Sequence, residues 1–141
     1  MNSRVVACPG CGAKNRIPAV AVGHPRCAAC KSDLPWIVDA SDATLQQCVD
    51  TKPLVLVDLW APWCGPCRMV APVLESLAAT NAGRLKVVKV NVDDNPQASR
   101  RFDAQSIPTL VVMRDGAVLD RIVGALPETA LAARIAPHLK P

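Results

Sequence analysis

Two cysteines separated by two residues, Cys64 and Cys67, are the pattern in this chain best suited to covalent chemistry. An apolar, β-branched run of strand length precedes them at 54–60, and residues 69–79 have helical character. Cys64 therefore stands near a helix N-terminus, where unpaired backbone N–H groups and the helix dipole favour a thiolate over a thiol. We expect Cys64 to be the attacking sulfur of a reversible dithiol and Cys67, one turn inside the helix, to be its buried resolving partner.

The two residues between the cysteines strengthen this interpretation. Pro66 presets φ for the first helical turn, and Gly65 allows the backbone to be approached closely. A bare pair of this spacing could also be a structural disulfide or half of a zinc site. The apolar strand before the pair, together with Gly65 and Pro66, favours a redox-active disulfide.

A lone acid, Asp58, lies inside the apolar strand before the dithiol. Burial would raise its pKa, so that it could exchange a proton with Cys67 near neutral pH. The alternative is an ordinary aspartate in water at the end of the strand. Lys89, in a predicted strand over 85–92, could pair with Asp58 or could be an exposed lysine on a sheet edge.

A second constellation consists of two further Cys-x-x-Cys pairs separated by fifteen residues. This spacing fits a tetrahedral zinc site that has no open coordination position and is therefore structural. The four predicted ligands are Cys8, Cys11, Cys27 and Cys30. Two more redox pairs or two disulfides are the alternatives, and His24, outside both pairs, is expected to be a loop residue. Since 35 residues cannot bury a useful core unaided, we expect this module to be disordered without zinc.

Several segments of the chain resemble the thioredoxin family. The segment DLWAPWCGPC at 58–67 resembles the active-site segment of that family, and KVNVD at 89–93 resembles its central strand. Residues 106–109 resemble the cis-proline loop, and residues 123–125 resemble the glycine region that flanks the substrate groove. The resemblance covers roughly residues 36–141. The chain as a whole is similar to bacterial thioredoxins that carry an extra N-terminal zinc ribbon.

The resemblance implies roles for individual residues. It makes Cys64 the nucleophile, Cys67 the resolving cysteine, Asp58 the buried acid and Pro108 the cis-proline. A cis bond before Pro108 would leave the backbone of Ile107 free to pair with an extended substrate, as strand addition does in peptide recognition. The surface formed by Trp63, Ile107 and Gly124 is then expected to be apolar and flat enough to accept many partners.

The same resemblance implies that the chain reduces protein disulfides and receives electrons from NADPH through a separate thioredoxin reductase. The chain has no glycine-rich dinucleotide fingerprint, so no bound NADPH is expected. An oxidant or isomerase of the same fold is an alternative, against which Gly65 and Pro66 argue, because that dipeptide is the reductase version in the family. A third possibility is a redox sensor whose N-terminal cysteines lose zinc on oxidation.

Charge and composition limit the other partners. The chain has a net charge of +4 at pH 7, which lies entirely within residues 1–35, and four thiolates around one zinc ion would contribute about −2. So few cations, with no aromatic residue before Trp36, argue against nucleic-acid binding. The N-terminus has no apolar signal region and no stretch is long enough to span a membrane, so we expect a reducing cytoplasm and no membrane partner. Cys48, outside both constellations, is expected to be a buried apolar filler rather than a regulatory thiol.

The cysteine spacing predicts a zinc-ribbon module at 1–35, and the pattern of apolar residues predicts an α/β domain at 36–141. By resemblance, the fold of this domain is a central mixed sheet flanked by helices. Strands joined through helices are expected to pair in parallel, and the short junction at Leu34 and Pro35 allows the two modules to pack together. The predicted elements are a helix begun by Ser41 and ending near Asp50, a strand at 54–59, a helix at 66–80, a strand at 85–92, a helix at 97–102, strands at 110–113 and 118–123 joined by an Asp115-Gly116 turn, and a helix at 128–136 stopped by Pro137.

Overall fold

Over the residues that the structure describes, the fold combines a small β-hairpin with a five-stranded mixed sheet and four helices, which confirms the predicted α/β class. The computed structural model describes residues 3–21 and 23–139. The elements in chain order are β1 (Ser3–Ala7), β2 (Lys14–Pro18), β3 (Trp36–Asp39), α1 (Leu45–Val49), β4 (Leu54–Trp60), α2 (Gly65–Thr80), β5 (Leu85–Asn91), α3 (Pro96–Arg101), β6 (Thr109–Arg114), β7 (Ala117–Val123) and α4 (Glu128–Leu139).

The large sheet has the strand order β3-β5-β4-β6-β7. Strands β3 and β4 each run parallel to β5, whereas β6 runs antiparallel to both β4 and β7. Strand β4, which leads into the dithiol, is therefore central and paired on both sides. Its residue Asp58 lies in register with Lys89 on β5 and with Leu110 on β6.

The expectation that helix-connected strands pair in parallel holds for β4 and β5 and is wrong for β5 and β6. These two strands are not neighbours, and they run in opposite directions. The connecting helix α3 has only six residues. Because β5 and β6 run in opposite directions, β6 begins at the end of the sheet where β5 stops.

Side chains of the central strands alternate between two buried layers. On one face, which we call the α2 face, Leu54 and Leu56 pack in a cluster with Val70 and Leu74 of α2. The intervening residues of β4 belong to a second cluster on the opposite face. Alternation places Asp58 on the α2 face with Leu54 and Leu56.

The N-terminal module, as we call the described residues before β3, shares a hydrophobic core with the domain, so the expected packing of the two parts is confirmed. The strands β1, β2 and β3 were not predicted, because in the first two apolar and charged residues mix and the third has only four residues. The residues that form the shared cluster include Cys8, Ile17, Ala19, Cys27 and Leu34 from the module and Trp36, Val38, Cys48, Val57 and Val88 from the domain.

Two predicted helix ends are wrong. Helix α1 begins at Leu45 rather than just after Ser41, because Ser41 starts a turn in which its backbone oxygen accepts from the N–H groups of Thr44 and Leu45. Pro137 does not stop α4, which continues to Leu139. Proline keeps a helical φ and loses one backbone hydrogen bond, which the last turn of a helix tolerates better than its middle.

The turn between β6 and β7 is the predicted hairpin. Asp115 and Gly116 both have positive φ values, 53° and 80°. Two-residue turns of this kind match the right-handed twist of the flanking strands, and Asp-Gly is among the sequences that adopt them most readily.

Candidate active site and cysteine cluster

Cys64 and Cys67 are joined in a disulfide, with their Cα atoms 5.2 Å apart. Cys64 is the N-cap of α2, and the backbone N–H of Cys67 donates to the Cys64 sulfur at 3.2 Å. Pro66 lies in the first turn, as predicted. Both cysteines are buried, with exposed fractions of 4% for Cys64 and 3% for Cys67. When the disulfide opens, the same N–H group and the helix dipole would favour a thiolate at Cys64.

Asp58 is completely buried, and its two carboxylate oxygens have no hydrogen-bond partner among the described residues. Burial raises the pKa of Asp58 to about 6, although the nearby positive charge of Lys89 lowers it. The Lys89 ammonium lies 3.9 Å from Asp58 Oδ2 and 5.2 Å from the centre of the Trp60 ring. The pairing of Asp58 with Lys89 is therefore observed, and the reading of Lys89 as a fully exposed edge residue is wrong.

The predicted substrate surface lies beside the disulfide. The Ile107–Pro108 peptide bond is cis, and the carbonyl oxygen of Ile107 lies 3.7 Å from the Cys64 sulfur. Gly124 donates its N–H to the Pro108 carbonyl at 2.9 Å. Trp63 is 67% exposed, and its indole N–H points to the Asp93 carboxylate at 3.0 Å.

The sequence interpretation missed two exposed apolar side chains close to these residues in the chain. Met69, in the second turn of α2, is 71% exposed, and Val123, adjacent to Gly124, is 59% exposed. Large apolar side chains that remain in water can contribute to a surface for an apolar partner. Their signal in the sequence was only their proximity to the motif.

The four N-terminal cysteines form a compact cluster whose sulfur atoms all lie within 4.8 Å of one another. The sulfur of Cys8 is 3.6 Å from that of Cys30, and the sulfur of Cys11 is 3.6 Å from that of Cys27. A zinc–sulfur bond of about 2.3 Å in a tetrahedron requires sulfur–sulfur separations of about 3.8 Å. The cluster thus has the dimensions of a four-cysteine zinc site.

Hydrogen bonds in the cluster favour some thiolates but not all four. The backbone N–H of Cys30, helped by the Asn15 amide at 3.5 Å, lowers the pKa of Cys27 to about 6. Although the backbone N–H of Ala13 favours its thiolate, hydrogen bonds to Cys27 and Cys30 raise the pKa of Cys11 to about 12. Four adjacent sulfurs cannot all ionise unless a cation lies among them. This donor set fits a divalent metal.

His24 and Cys48 lie outside both sites, as predicted. His24 pairs with Asp33 at 3.0 Å and does not belong to the sulfur cluster. Cys48 is completely buried, and its thiol donates to the Ala19 carbonyl at 3.2 Å. Lys86, which the sequence did not single out, is also fully buried, with its ammonium 4.3 Å above the Trp36 ring. No sequence signal distinguishes it from an ordinary strand lysine.

A disulfide at the N-terminus of α2, with a buried carboxyl group on the face of the sheet that α2 covers, is the arrangement of a thiol–disulfide oxidoreductase of α/β fold. The sequence model of the thioredoxin family matches residues 36–137. Thioredoxin 1 of a Nostoc species is 49% identical over 100 residues, which cover 70% of this chain and 94% of that protein. The thioredoxin of Haemophilus influenzae is 46% identical over 104 residues, which cover 73% of this chain and 97% of that protein. The chain belongs to the thioredoxin family.

None of the described helices has both the length and the apolar character needed to cross a membrane.

Proposed function

We propose that this protein reduces the disulfides of other proteins, with Cys64 as the nucleophile and Cys67 as the resolving thiol. The Cys64 thiolate attacks one substrate sulfur, forms a mixed disulfide and releases the other substrate sulfur as a thiolate, which takes up a proton. Cys67 then attacks Cys64, the substrate leaves as a dithiol, and two electrons have passed to it. The hydrogen bond from the Cys67 N–H to the Cys64 sulfur, 3.2 Å, carries this proposal.

Asp58 and Lys89 would take part in the proton transfer of the resolving step. Asp58 lies on the α2 face, where Cys67 occupies the first turn of α2, and a pKa of about 6 lets Asp58 accept a proton from Cys67 near neutral pH. Lys89, 3.9 Å away, would stabilise the resulting carboxylate. Gly65 and Pro66 would keep the first turn open to the incoming substrate.

Substrates would bind as extended segments on the surface formed by Trp63, Ile107 and Gly124, beside the cis-Pro108. The carbonyl of Ile107 at 3.7 Å from the Cys64 sulfur supports this arrangement, because a strand paired there would meet the nucleophile. Oxidised proteins of many sequences fit such a surface, since it recognises backbone rather than particular side chains.

Electrons would come from a thioredoxin reductase that uses NADPH. The similarity to thioredoxins over nearly their whole length supports this partner, because the surface around the dithiol falls within the matched residues. A reductase of this kind works in a reducing compartment, so we infer that the protein acts in the cytoplasm.

The four-cysteine cluster would hold a structural zinc ion through Cys8, Cys11, Cys27 and Cys30. A closed set of four thiolates leaves no position for water or substrate, so the metal would stabilise the fold and take no part in the reaction. We accordingly propose a zinc-ribbon module at 1–35 and a thioredoxin domain at 36–141.

Reduction of insulin disulfides, followed by turbidity with dithiothreitol as the reductant, tests the proposed activity. Cys64→Ser should abolish the catalysed rate, and Cys67→Ser should accumulate the mixed disulfide. Cys48→Ala, which removes a cysteine outside the dithiol, is the matched control and should keep the rate. A reduction potential near about −270 mV would agree with the reductases of this family, whereas one near about −120 mV would identify an oxidant. Full activity of Cys64→Ser would refute the proposal.

A further inference from the structure

Lys89 stands between two carboxylates on neighbouring strands of the sheet. Asp39 on β3 and Asp58 on β4 each lie in register with Lys89 on β5. In-register residues of parallel strands point to the same face, so all three side chains lie on the α2 face. Within the described residues, the ammonium of Lys89 nevertheless forms its ion pair with Asp58, at 3.9 Å, and not with Asp39.

The carboxylate of Asp39 forms an ion pair with a residue of the N-terminal module. Arg4 donates from Nε to Asp39 Oδ2 at 2.8 Å and from Nη2 to Oδ1 at 3.0 Å, which is the bidentate geometry of a strong pair. In the part of the chain that the structure describes, Arg4 also faces Glu75 on α2. The hydrogen bond and charge of Asp39, together with the charge of Glu75, raise the pKa of Arg4. A positive charge from the module thus neutralises the carboxylate that would otherwise compete for Lys89.

We propose that Arg4 and Asp39 are positioning residues that leave the Lys89 ammonium to Asp58. Four charged side chains, alternately positive and negative, then run from the N-terminal module across three strands to the buried acid. Without the charge of Arg4, the Lys89 ammonium would be drawn toward Asp39 and away from Asp58. The negative charge of Asp39, which lies on the same face as Asp58, would then no longer be neutralised by Arg4. Removing Asp39 instead would leave Arg4 as an unpaired positive charge.

These two changes have opposite consequences for the proton on Asp58. Without Arg4, the ionised form of Asp58 loses support and its pKa rises. Without Asp39, the ionised form gains support and its pKa falls. Among the described residues, Lys89 is the charged group that faces Asp58 and lowers its pKa, so a shift in the position of the Lys89 ammonium changes that pKa. Any effect on catalysis rests on the proposed proton transfer between Asp58 and Cys67.

The test follows the carboxyl ¹³C resonance of Asp58 by NMR in the oxidised full-length protein between pH 4 and pH 9. Because the dithiol is closed and no substrate is present, this readout does not depend on the proposed reductase activity. Arg4→Gln should raise the pKa of Asp58 by about 0.3 to 0.5, and Asp39→Asn should lower it by a similar amount. The double variant should titrate close to the wild-type protein, since it removes both charges.

Arg16→Gln is the matched control, because Arg16 is an exposed cation of the same module that contacts Ser3 and not Asp39. A shift in Arg4→Gln no larger than that in Arg16→Gln would overturn the proposal. If Arg4→Gln destabilises the N-terminal module, Asp39→Asn still tests the proposal. General destabilisation would shift the pKa of Asp58 in the same direction in both single variants, whereas the proposal predicts opposite shifts. Shifts of the Asp58 pKa in opposite directions in the two single variants, which cancel in the double variant, would support the proposal.

Discussion

Gly83, in the turn between α2 and β5, packs directly against Asp33 of the N-terminal module. A Cβ atom at Gly83 would lie 2.6 Å from Asp33 Oδ2 and 2.9 Å from its Cγ. Gly83 also has a φ of +85°, which residues with side chains rarely adopt. Asp33 pairs with His24 at 3.0 Å, so this contact ties the loop between the two cysteine pairs to the domain.

Gly83→Ala should therefore destabilise the protein through both backbone strain and a clash with Asp33. Gly116→Ala is the matched control, because Gly116 has a φ of +80° and no other atom within 4 Å of an added Cβ. We expect a cost of about 1 kcal/mol for Gly116→Ala and about 1 kcal/mol more for Gly83→Ala, measured by urea unfolding. Equal losses would mean that Asp33 moves aside freely.

Asp58→Asn should make the oxidised protein more stable at pH 8 but not at pH 4. The pKa of Asp58 is raised to about 6 by burial from an unfolded value of 3.8, so its ionisation opposes folding fully above pH 6 and not at all below pH 3.8. Asparagine avoids that cost, which is about 3 kcal/mol at most.

The control for this prediction is Asp120→Asn, which should act in the opposite direction. A hydrogen bond from Arg134 lowers the pKa of Asp120, so its carboxylate supports folding above its unfolded pKa and loses that support as the pH falls. Urea unfolding of both variants at pH 4 and pH 8 checks the pair. A gain for Asp58→Asn that is equal at both pH values would contradict the buried, titrating acid.

Lys86→Met should stabilise the protein at neutral pH by about 1 to 3 kcal/mol. Lys86 is fully buried, burial lowers its pKa, and its ammonium finds no hydrogen-bond partner within the described part of the chain. Because a lowered lysine pKa costs stability while the group is charged, the gain should shrink as the pH rises toward 10.5. Lys14→Met, at an exposed position of β2, should change thermal unfolding little. A loss in Lys86→Met would mean that the contact with Trp36 outweighs the burial.

Cys27→Ser should remove bound zinc and loosen the N-terminal module. The sulfur of Cys27 is 3.6 Å from that of Cys11, and an alcohol at this position is a far weaker zinc ligand than a thiolate. Atomic emission should find about one zinc per chain in the wild-type protein and in Cys48→Ala, and much less in Cys27→Ser. Amide exchange should accelerate in β1 and β2 before it does so in β4. If atomic emission found no zinc in the wild-type protein, the proposal of a zinc site would be wrong.

The dithiol and the sulfur cluster were predictable because each depends on local spacing. The pairing of Asp58 with Lys89 was one of two alternatives for Lys89, and the register of β4 with β5 decides between them. Two residues between cysteines fix their separation on a helix N-terminus, whereas the burial of Asp58 was one of two alternatives and follows from the central position of β4 in the sheet. The hairpin at Asp115 and Gly116 was, like the dithiol, predictable from local sequence.

The relations that sequence could not supply depend on the register of β3, which is a tertiary property. Asp39 looks like a surface acid after a short apolar segment, and only its alignment with Lys89 brings it into the charge row. Arg4 lies 35 positions before Asp39, and no periodicity connects them. The direction of β6 was mispredicted because a helix between two strands does not by itself fix their relative direction. Helix α1 joins two strands that run the same way, whereas α3 joins two that run in opposite directions.

The hydrophobic cluster shared by the module and the domain makes truncation a poor way to ask what the module does. A chain that starts at residue 36 would leave Trp36 and Cys48, both completely buried, without the apolar side chains of Ile17 and Leu34 that cover this side of the core. Such a fragment would report on an opened core and its tendency to aggregate. Single charge changes at the boundary keep the core closed, so they can separate a regulatory contribution of the module from its contribution to folding.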